Sequence, residues 1–392
     1  MINVNKKSTL KLRKELHKYP ELSNCETDTA LRIKSFFSKL KPDKIIERIG
    51  GTGVAFEFIG SQYKNINNDR SQPTLLLRCE LDALPIQETN KFKHRSVNQK
   101  VSHKCGHDGH MAILCEVGKY LAKNKILNGR IVLLFQPAEE IGTGARDVVN
   151  DSLFTHIAPD FAFALHNLPG KPLGEVYVKP GLFNFASRGI IIQLEGVESH
   201  AAYPENGINP ANAMCEIVKN LSDLPSKINQ SEAASNLSVT IISVQMGEAN
   251  FGTSPGSATI MATLRSSSND LMDEMLNHAD YMIKQISNRE KLKFSISMDD
   301  IFSTCVNTSI GYNKIIKACE QNNIKCTTIK KAYRWSEDFG VLLDSAKEGA
   351  MFTIGAGENS PQLHNADYDF PDELIPIASS IFIEVIRDIN QF

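Results

Sequence analysis

The run Cys105-Gly106-His107-Asp108-Gly109-His110 constrains this chain more than any other stretch. A thiol, two imidazoles and a carboxylate interleaved with two glycines make a poor hydrophobic core and a good polar turn. A borderline-soft metal ion takes thiolate sulfur and imidazole nitrogen together. An amphipathic helix follows, since Met111, Leu114, Val117 and Leu121 recur at steps of three and four. Asp108 then stands where a helix N-terminus favours an anion. A lone cysteine is usually a small buried hydrophobe, and a lone strand-end histidine is usually just hydrogen-bonded. The constellation reverses both expectations. The pair Glu139-Glu140 follows the apolar strand Ile131 to Phe135 and the rigid Gln136-Pro137, His166 ends another apolar run, and His364 lies far downstream. Together these residues read as a metallohydrolase.

Short β-rich runs at Gly53 to Ile59, Thr74 to Leu77, Arg130 to Phe135 and Phe161 to Leu165 alternate with helical patterns. That alternation is the signature of a largely parallel sheet in an α/β domain. Such sheets bind ligands beyond the C-terminal ends of their strands, and Glu139, Glu140 and His166 fall just past such ends. Near Phe183 the pattern changes. A strand (Gly189 to Leu194), a helix (Asn209 to Leu221), two strands (Ser238 to Val244, Ala258 to Leu264), a helix (Leu271 to Ile286) and a strand (Leu292 to Met298) follow. This β-α-β-β-α-β order predicts a small ferredoxin-like α+β unit over residues 186–299, inserted into a domain made of residues 1–185 and 300–392. Gly340 to Ile354 and a closing helix from Asp372 complete the first domain.

A chain of 392 residues exceeds the usual single core, in line with two domains. With 43 Lys and Arg against 45 Asp and Glu, a balance of −2 gives no field to hold nucleic acid or an anionic membrane. The N-terminal Met1 to Leu16 is mixed and charged, and no stretch approaches the roughly 18 apolar residues of a membrane span. Eight scattered cysteines form no disulfide framework. These features predict a soluble cytosolic protein. Asn65 to Gln72 is the most loop-like polar segment.

Adjacent residues on extended backbone project in opposite directions, so one carboxylate of Glu139-Glu140 is expected to hold a metal while its neighbour stays free for proton transfer. His110, three residues beyond His107, is assigned a supporting or packing role. His17, His94, His103, His156 and His278 have no comparable setting and receive no role.

Further blocks extend the pattern: His17 to Leu22, Arg78 to Ile86, Ser199-His200-Ala201-Ala202, Leu165-His166-Asn167, Ser336-Glu337-Asp338-Phe339 and Leu363-His364. With Cys105 to His110 and Gln136 to Glu140, the chain resembles the M20 metallopeptidases nearly end to end. The likeness is to their amidohydrolase branch, which contains hippurate hydrolases, aminoacylase-like enzymes and auxin-conjugate hydrolases. The resemblance implies a zinc-exopeptidase-like catalytic domain in which Cys105, His107, Glu140, His166 and His364 bind two divalent ions and Glu139 is the general base. It further implies that the insert is a lid and dimerisation domain, with His200 reaching the active site of a neighbouring protomer in a homodimer. Two departures stand out. Glu80 replaces the family's usual Asp, and Phe251-Gly252-Thr253-Ser254-Pro255 replaces the usual lid block, which bears on substrate identity more than on chemistry.

The expected reaction is hydrolysis of the amide bond of an N-acyl amino acid. Two divalent ions against one thiolate and one carboxylate leave a positive centre that favours anionic substrates and developing oxyanions. Glu139 takes a proton from the attacking water and returns it to the leaving amine, while His200 donates to the oxyanion once the lid closes. Arg265 either pairs with a substrate carboxylate or makes a plain surface ion pair. Asp82 orients neighbouring polar groups, and Ser336 to Asp338 line the pocket floor. A mixed S, N and O donor set leaves Mn and Zn both open. The competing readings are a dipeptidase, a non-catalytic metal-dependent binding protein on the same scaffold, and a thiol nucleophile at Cys105.

Overall fold

The computed structural model of the chain describes residues 6–64, 72–228 and 236–392. The polar segment Asn65 to Gln72 lies outside them except for its last residue. The chain divides into two units: Met1–Phe183 with Cys305–Ala332 and Asp338–Phe392, and Asn184–Thr304 with Tyr333–Glu337.

The first unit is built on an eight-stranded sheet in the order Lys44–Ile49, Gly53–Ile59, Arg130–Gln136, Thr74–Glu80, Phe161–Leu168, Glu348–Gly355, Val176–Val178, Cys326–Thr328. Its middle is parallel: Thr74–Glu80 pairs in parallel with Arg130–Gln136 and with Phe161–Leu168, which pairs in parallel with Glu348–Gly355. Strands covered on both faces need no polar side, and Leu75, Leu76, Leu77 and Ile131 to Phe135 are all fully buried. Both margins depart from the parallel pattern: Lys44–Ile49 and Gly53–Ile59 form an antiparallel hairpin that runs antiparallel to Arg130–Gln136, and Val176–Val178 runs antiparallel to Glu348–Gly355. The sequence pattern missed Lys44–Ile49, Val176–Val178 and Cys326–Thr328. The first alternates poorly because Lys44, Glu47 and Arg48 interrupt it, and the others are three residues long.

Helix His107–Lys123 packs against Leu374–Asn390 and Lys6–Lys18. A small residue lets the loop ahead of Leu374–Asn390 come close: a Cβ on Gly109 would lie 2.2 Å from the Phe370 ring. A stack of Phe37 on Phe56, centroids 3.9 Å apart, anchors the far part of the core. Truncating such a ring to Ala costs about 3–5 kcal/mol.

The second unit is a four-stranded antiparallel sheet in the order Leu237–Met246, Ser257–Ser266, Ala186–Glu195, Lys293–Phe302, with helices Ala211–Ile228 and Asn269–Arg289. Alternation decides which sheet face the helices cover: Ile190, Ile192 and Leu194 are buried with Ile260, Ala262 and Leu264, while Gln193 and Met261 are exposed. Among the described residues no helix is long and apolar enough to cross a membrane.

Candidate metal centre

The turn into helix His107–Lys123 is made by Gly106 at φ 97°, a left-handed conformation that costs glycine little. There is also no room for a side chain, since a Cβ would sit 2.4 Å from Asn167 Oδ1. This tight entry faces the His107 ring toward Asp82. His107 Nδ1 donates to the Asp82 carbonyl oxygen at 2.9 Å, which leaves Nε2 to present a lone pair. Nε2 makes no hydrogen bond although His107 is fully buried. An orphaned ring nitrogen in a buried polar site is costly and fits a metal ligand.

Glu139 and Glu140 do not project in opposite directions. Ala138 adopts φ 49°, its N–H donates to Glu26 at 2.7 Å, and Gly142 N–H closes a turn on the Glu139 carbonyl at 2.8 Å. The strand has ended, and with it the alternation on which the expectation rested. Both carboxylates reach the same atom instead: Glu139 Oε2 is 3.8 Å and Glu140 Oε1 3.7 Å from His107 Nε2. The Asp82 carboxylate supports the arrangement by accepting from Glu140 N–H at 2.9 Å and from Ser23 Oγ–H at 2.8 Å.

His166 sits near the end of strand Phe161–Leu168, its Nδ1 donating to the Asn167 carbonyl at 2.8 Å and its Nε2 3.3 Å from Cys105 Sγ. His364, at φ 65°, brings Nε2 to 3.7 Å from Glu140 Oε2. The sets that place one donor atom per residue within 4.8 Å of one another include Cys105, His107 and His166; Cys105, Glu140 and His364; His107, Glu139 and Glu140; and Glu80, His107 and His110. Sulfur, nitrogen and carboxylate oxygen in this mixture suit a divalent metal ion.

The field of the site also suits a cation. Burial works against protonating His107, yet the charge of Glu80, the bond to Asp82 and the charge of Glu140 raise its pKa to about 10. Burial, followed by the charges of Glu140 and Glu139, pushes the Cys105 thiol well above its ordinary value. Burial and the neighbouring His110 lower His166 to about 3, so its ring is neutral, the form that ligates. Both nitrogens of His110 are engaged, Nδ1 with Glu80 at 2.7 Å and Nε2 with Asn167 Oδ1 at 2.5 Å. Glu80 also pairs with Arg78, and its longer side chain thus spans from Arg78 to His110.

Asp338, the last of the residues expected on the pocket floor, belongs to the first unit. It is buried, accepting from Arg78 at 2.5 Å, from Gln136 Nε2 at 2.7 Å and from Ala145 N–H at 2.8 Å, and so pins strand ends behind the donors.

Sequence reasoning gave His17 no role. The structure buries it completely: Nδ1 donates to Asp108 at 2.9 Å and Nε2 to Glu88 at 3.0 Å. Arg13, one helical turn earlier, pairs with Asp108, Asp369 and Asp372. Burial would lower the His17 pKa, but the charge and hydrogen bond of Asp108 and the bond to Glu88 outweigh it and raise it to about 9. The one available signal was the spacing of Arg13 and His17 on one helical face.

In the second unit His200 is exposed on a two-residue strand paired with Thr253–Ser254, and its Nδ1 accepts from Ala202 N–H at 3.0 Å. Arg265 donates to the Arg334 carbonyl and to Ser336 Oγ, both at 2.9 Å.

Known proteins resemble this chain over most of its length. The chain is 29% identical over 379 residues to a hippurate hydrolase of Campylobacter jejuni, covering 96% of this chain and 94% of that protein. It is 31% identical over 292 residues to an N-acetyl-L-cysteine deacetylase of Bacillus subtilis, covering 74% and 67%. A Bacillus subtilis dinuclear metal binding peptidase from the M20 family shares the fold at a TM-score of 0.79, with 22% identity and 98% of each chain covered. The model of Peptidase family M20/M25/M40 matches residues 76–388. By that match the chain belongs to Peptidase family M20/M25/M40.

Proposed function

We propose that the chain is a metal-dependent hydrolase of the amide bond in N-acyl amino acids, with Cys105, His107, Glu140, His166 and His364 holding two divalent ions, Mn or Zn, and Glu139 acting as general base. The observation that carries this reading is the meeting at His107 Nε2, a buried atom with no hydrogen bond and a carboxylate oxygen on either side at 3.7 and 3.8 Å. One of those carboxylates suffices as a ligand, and a pure binding protein has no use for the other. The names of the Campylobacter jejuni and Bacillus subtilis relatives, a hippurate hydrolase and an N-acetyl-L-cysteine deacetylase, support the substrate class.

Divalent ions held there would supply a Lewis acid for the carbonyl and a water whose pKa is lowered to about 7. Glu139 accepts a proton from the attacking water and delivers it to the leaving nitrogen. Asp82 keeps His107 in the tautomer that ligates through Nε2. His200 donates to the oxyanion as the second unit closes as a lid, and Arg265, freed from Ser336, pairs with the substrate carboxylate.

The second unit would also make a homodimer. Its edge strands Leu237–Met246 and Lys293–Phe302 carry exposed Ile242, Val244 and Met298, and open edges with apolar side chains are templates for a second copy. All eight cysteines are free, which favours a cytosolic setting. A panel of acetyl, benzoyl and indole-acetyl amino acids, assayed with Mn and with Zn beside a panel of dipeptides, tests the reading. Faster turnover of dipeptides than of every acyl amino acid would overturn the substrate class.

A further inference from the structure

His364 differs from the other imidazoles of the site in how it is held. His107 is steered by Asp82 and His166 by the Asn167 carbonyl, each through Nδ1. The His364 side chain is 53% exposed, and no hydrogen bond to its ring is found among the described residues. What fixes it is its backbone, whose N–H donates to the Lys104 carbonyl at 2.8 Å. Lys104 is itself an unusual residue, fully buried beside Cys105. Its ammonium donates to Glu88 Oε1 at 2.6 Å and to the Tyr368 carbonyl at 2.8 Å. One residue thus grips the loop at both ends, 364 through its own carbonyl and 368 through its side chain.

Glu88 is held in turn. It accepts from Ser96 N–H at 2.6 Å and from His17 Nε2 at 3.0 Å, and His17 joins it to Asp108. Burying an ammonium against a carboxylate costs desolvation that only good geometry and further hydrogen bonds offset. Here all of these bonds converge on the segment carrying Cys105 and on the loop carrying His364.

We propose that Lys104, pinned by Glu88, is a positioning residue that sets the distance between Cys105 and His364 and so the affinity for one of the two ions, the one held by Cys105, Glu140 and His364. The inference rests on reading those three residues as ligands of one ion. Cys105 is shared with the set Cys105, His107 and His166, but His107 and His166 take their orientation from the Asp82 and Asn167 carbonyls and not from the loop.

Metal-free full-length protein titrated with cobalt(II), followed by calorimetry and by the cobalt absorption bands, tests this without an activity assay. Wild type is expected to take up two equivalents. In Lys104→Met one equivalent keeps its wild-type affinity while the other weakens about 10- to 100-fold, the range for losing a group that orients a ligand. Glu88→Gln, which retains the ammonium, should show the same split to a smaller degree, and it serves if Lys104→Met does not fold. Two wild-type affinities in a folded variant, or equal weakening of both, would overturn the positioning role. Wild type binding fewer than two equivalents would instead overturn the ligand reading, and this inference with it.

Discussion

Asp82 meets one nitrogen of His107 twice: His107 Nδ1 lies 2.9 Å from the Asp82 carbonyl oxygen and 3.3 Å from its carboxylate Oδ1. The backbone contact fixes the ring's position and tautomer, and the carboxylate adds its negative charge beside the same N–H. Asp82→Ala keeps the first and loses the second. Metal affinity should fall about 10- to 100-fold, read by competition with a chromophoric chelator. Affinity unchanged within a factor of two would show that the carbonyl alone suffices.

Glu139→Gln removes the proposed base while preserving size. Turnover of N-acyl amino acids should drop about 10²- to 10⁴-fold, with two metal ions per chain still found by plasma mass spectrometry. Activity near that of wild type would take Glu139 out of the proton path.

Treatment with chelator should abolish activity, and adding Mn or Zn should restore it. A thiol nucleophile at Cys105 makes the opposite forecast, with activity surviving chelation and vanishing on alkylation. The buried Cys105 thiol, its pKa raised by burial and the nearby carboxylates, must release a proton to bind an ion. Apparent metal affinity should therefore climb with pH, and calorimetry in buffers of different ionisation enthalpy should detect proton release. No dependence on buffer would mean that the thiol is not a ligand.

His17 links pH to stability. Its folded pKa is about 9, above the ordinary 6.5. The stabilisation is therefore fully present below pH 6.5 and lost as pH rises through about 9, with a ceiling on the order of 3 kcal/mol. The gap in unfolding free energy between wild type and His17→Gln should narrow steadily between pH 7 and 10 in denaturant titrations. A gap that widens over that interval would contradict the bond pattern.

Gly106→Ala meets both the φ of 97° and the contact with Asn167 Oδ1 at 2.4 Å. Strain at such a position costs about 1–3 kcal/mol, so melting temperature and metal affinity should decline together. A variant with a wild-type melting temperature would show that the turn yields without cost.

The donors of the site were legible because their chemistry is unusual in sequence. A thiol and imidazoles spaced by glycine, or two adjacent carboxylates after an apolar strand, have few structural uses. Their directions were not legible. Glu139 and Glu140 converge because Ala138 turns left-handed, and an alanine gives no warning of that. The ion cluster around His17 stayed hidden for a related reason: Arg13 and His17, Glu88, Asp108, and the pair Asp369 and Asp372 come from four separate stretches of the chain that only the fold gathers. The same division holds for the secondary structure. The alternation of Gly189 to Leu194 located strand Ala186–Glu195, whereas Val176–Val178 and Cys326–Thr328 are too short to show any period and exist only because neighbouring strands offer partners.

Strand Glu348–Gly355 lies between Phe161–Leu168 and Val176–Val178, yet the chain reaches it only after the whole second unit has been made. During synthesis the half-built sheet must wait with the apolar flank of Phe161–Leu168 open, the kind of edge that recruits stray chains. The last quarter of the polypeptide therefore closes that edge before it delivers His364. A chain stopped short of residue 355 would be a sticky intermediate still lacking His364, and cells making this protein at high rate should lean on chaperones during that interval.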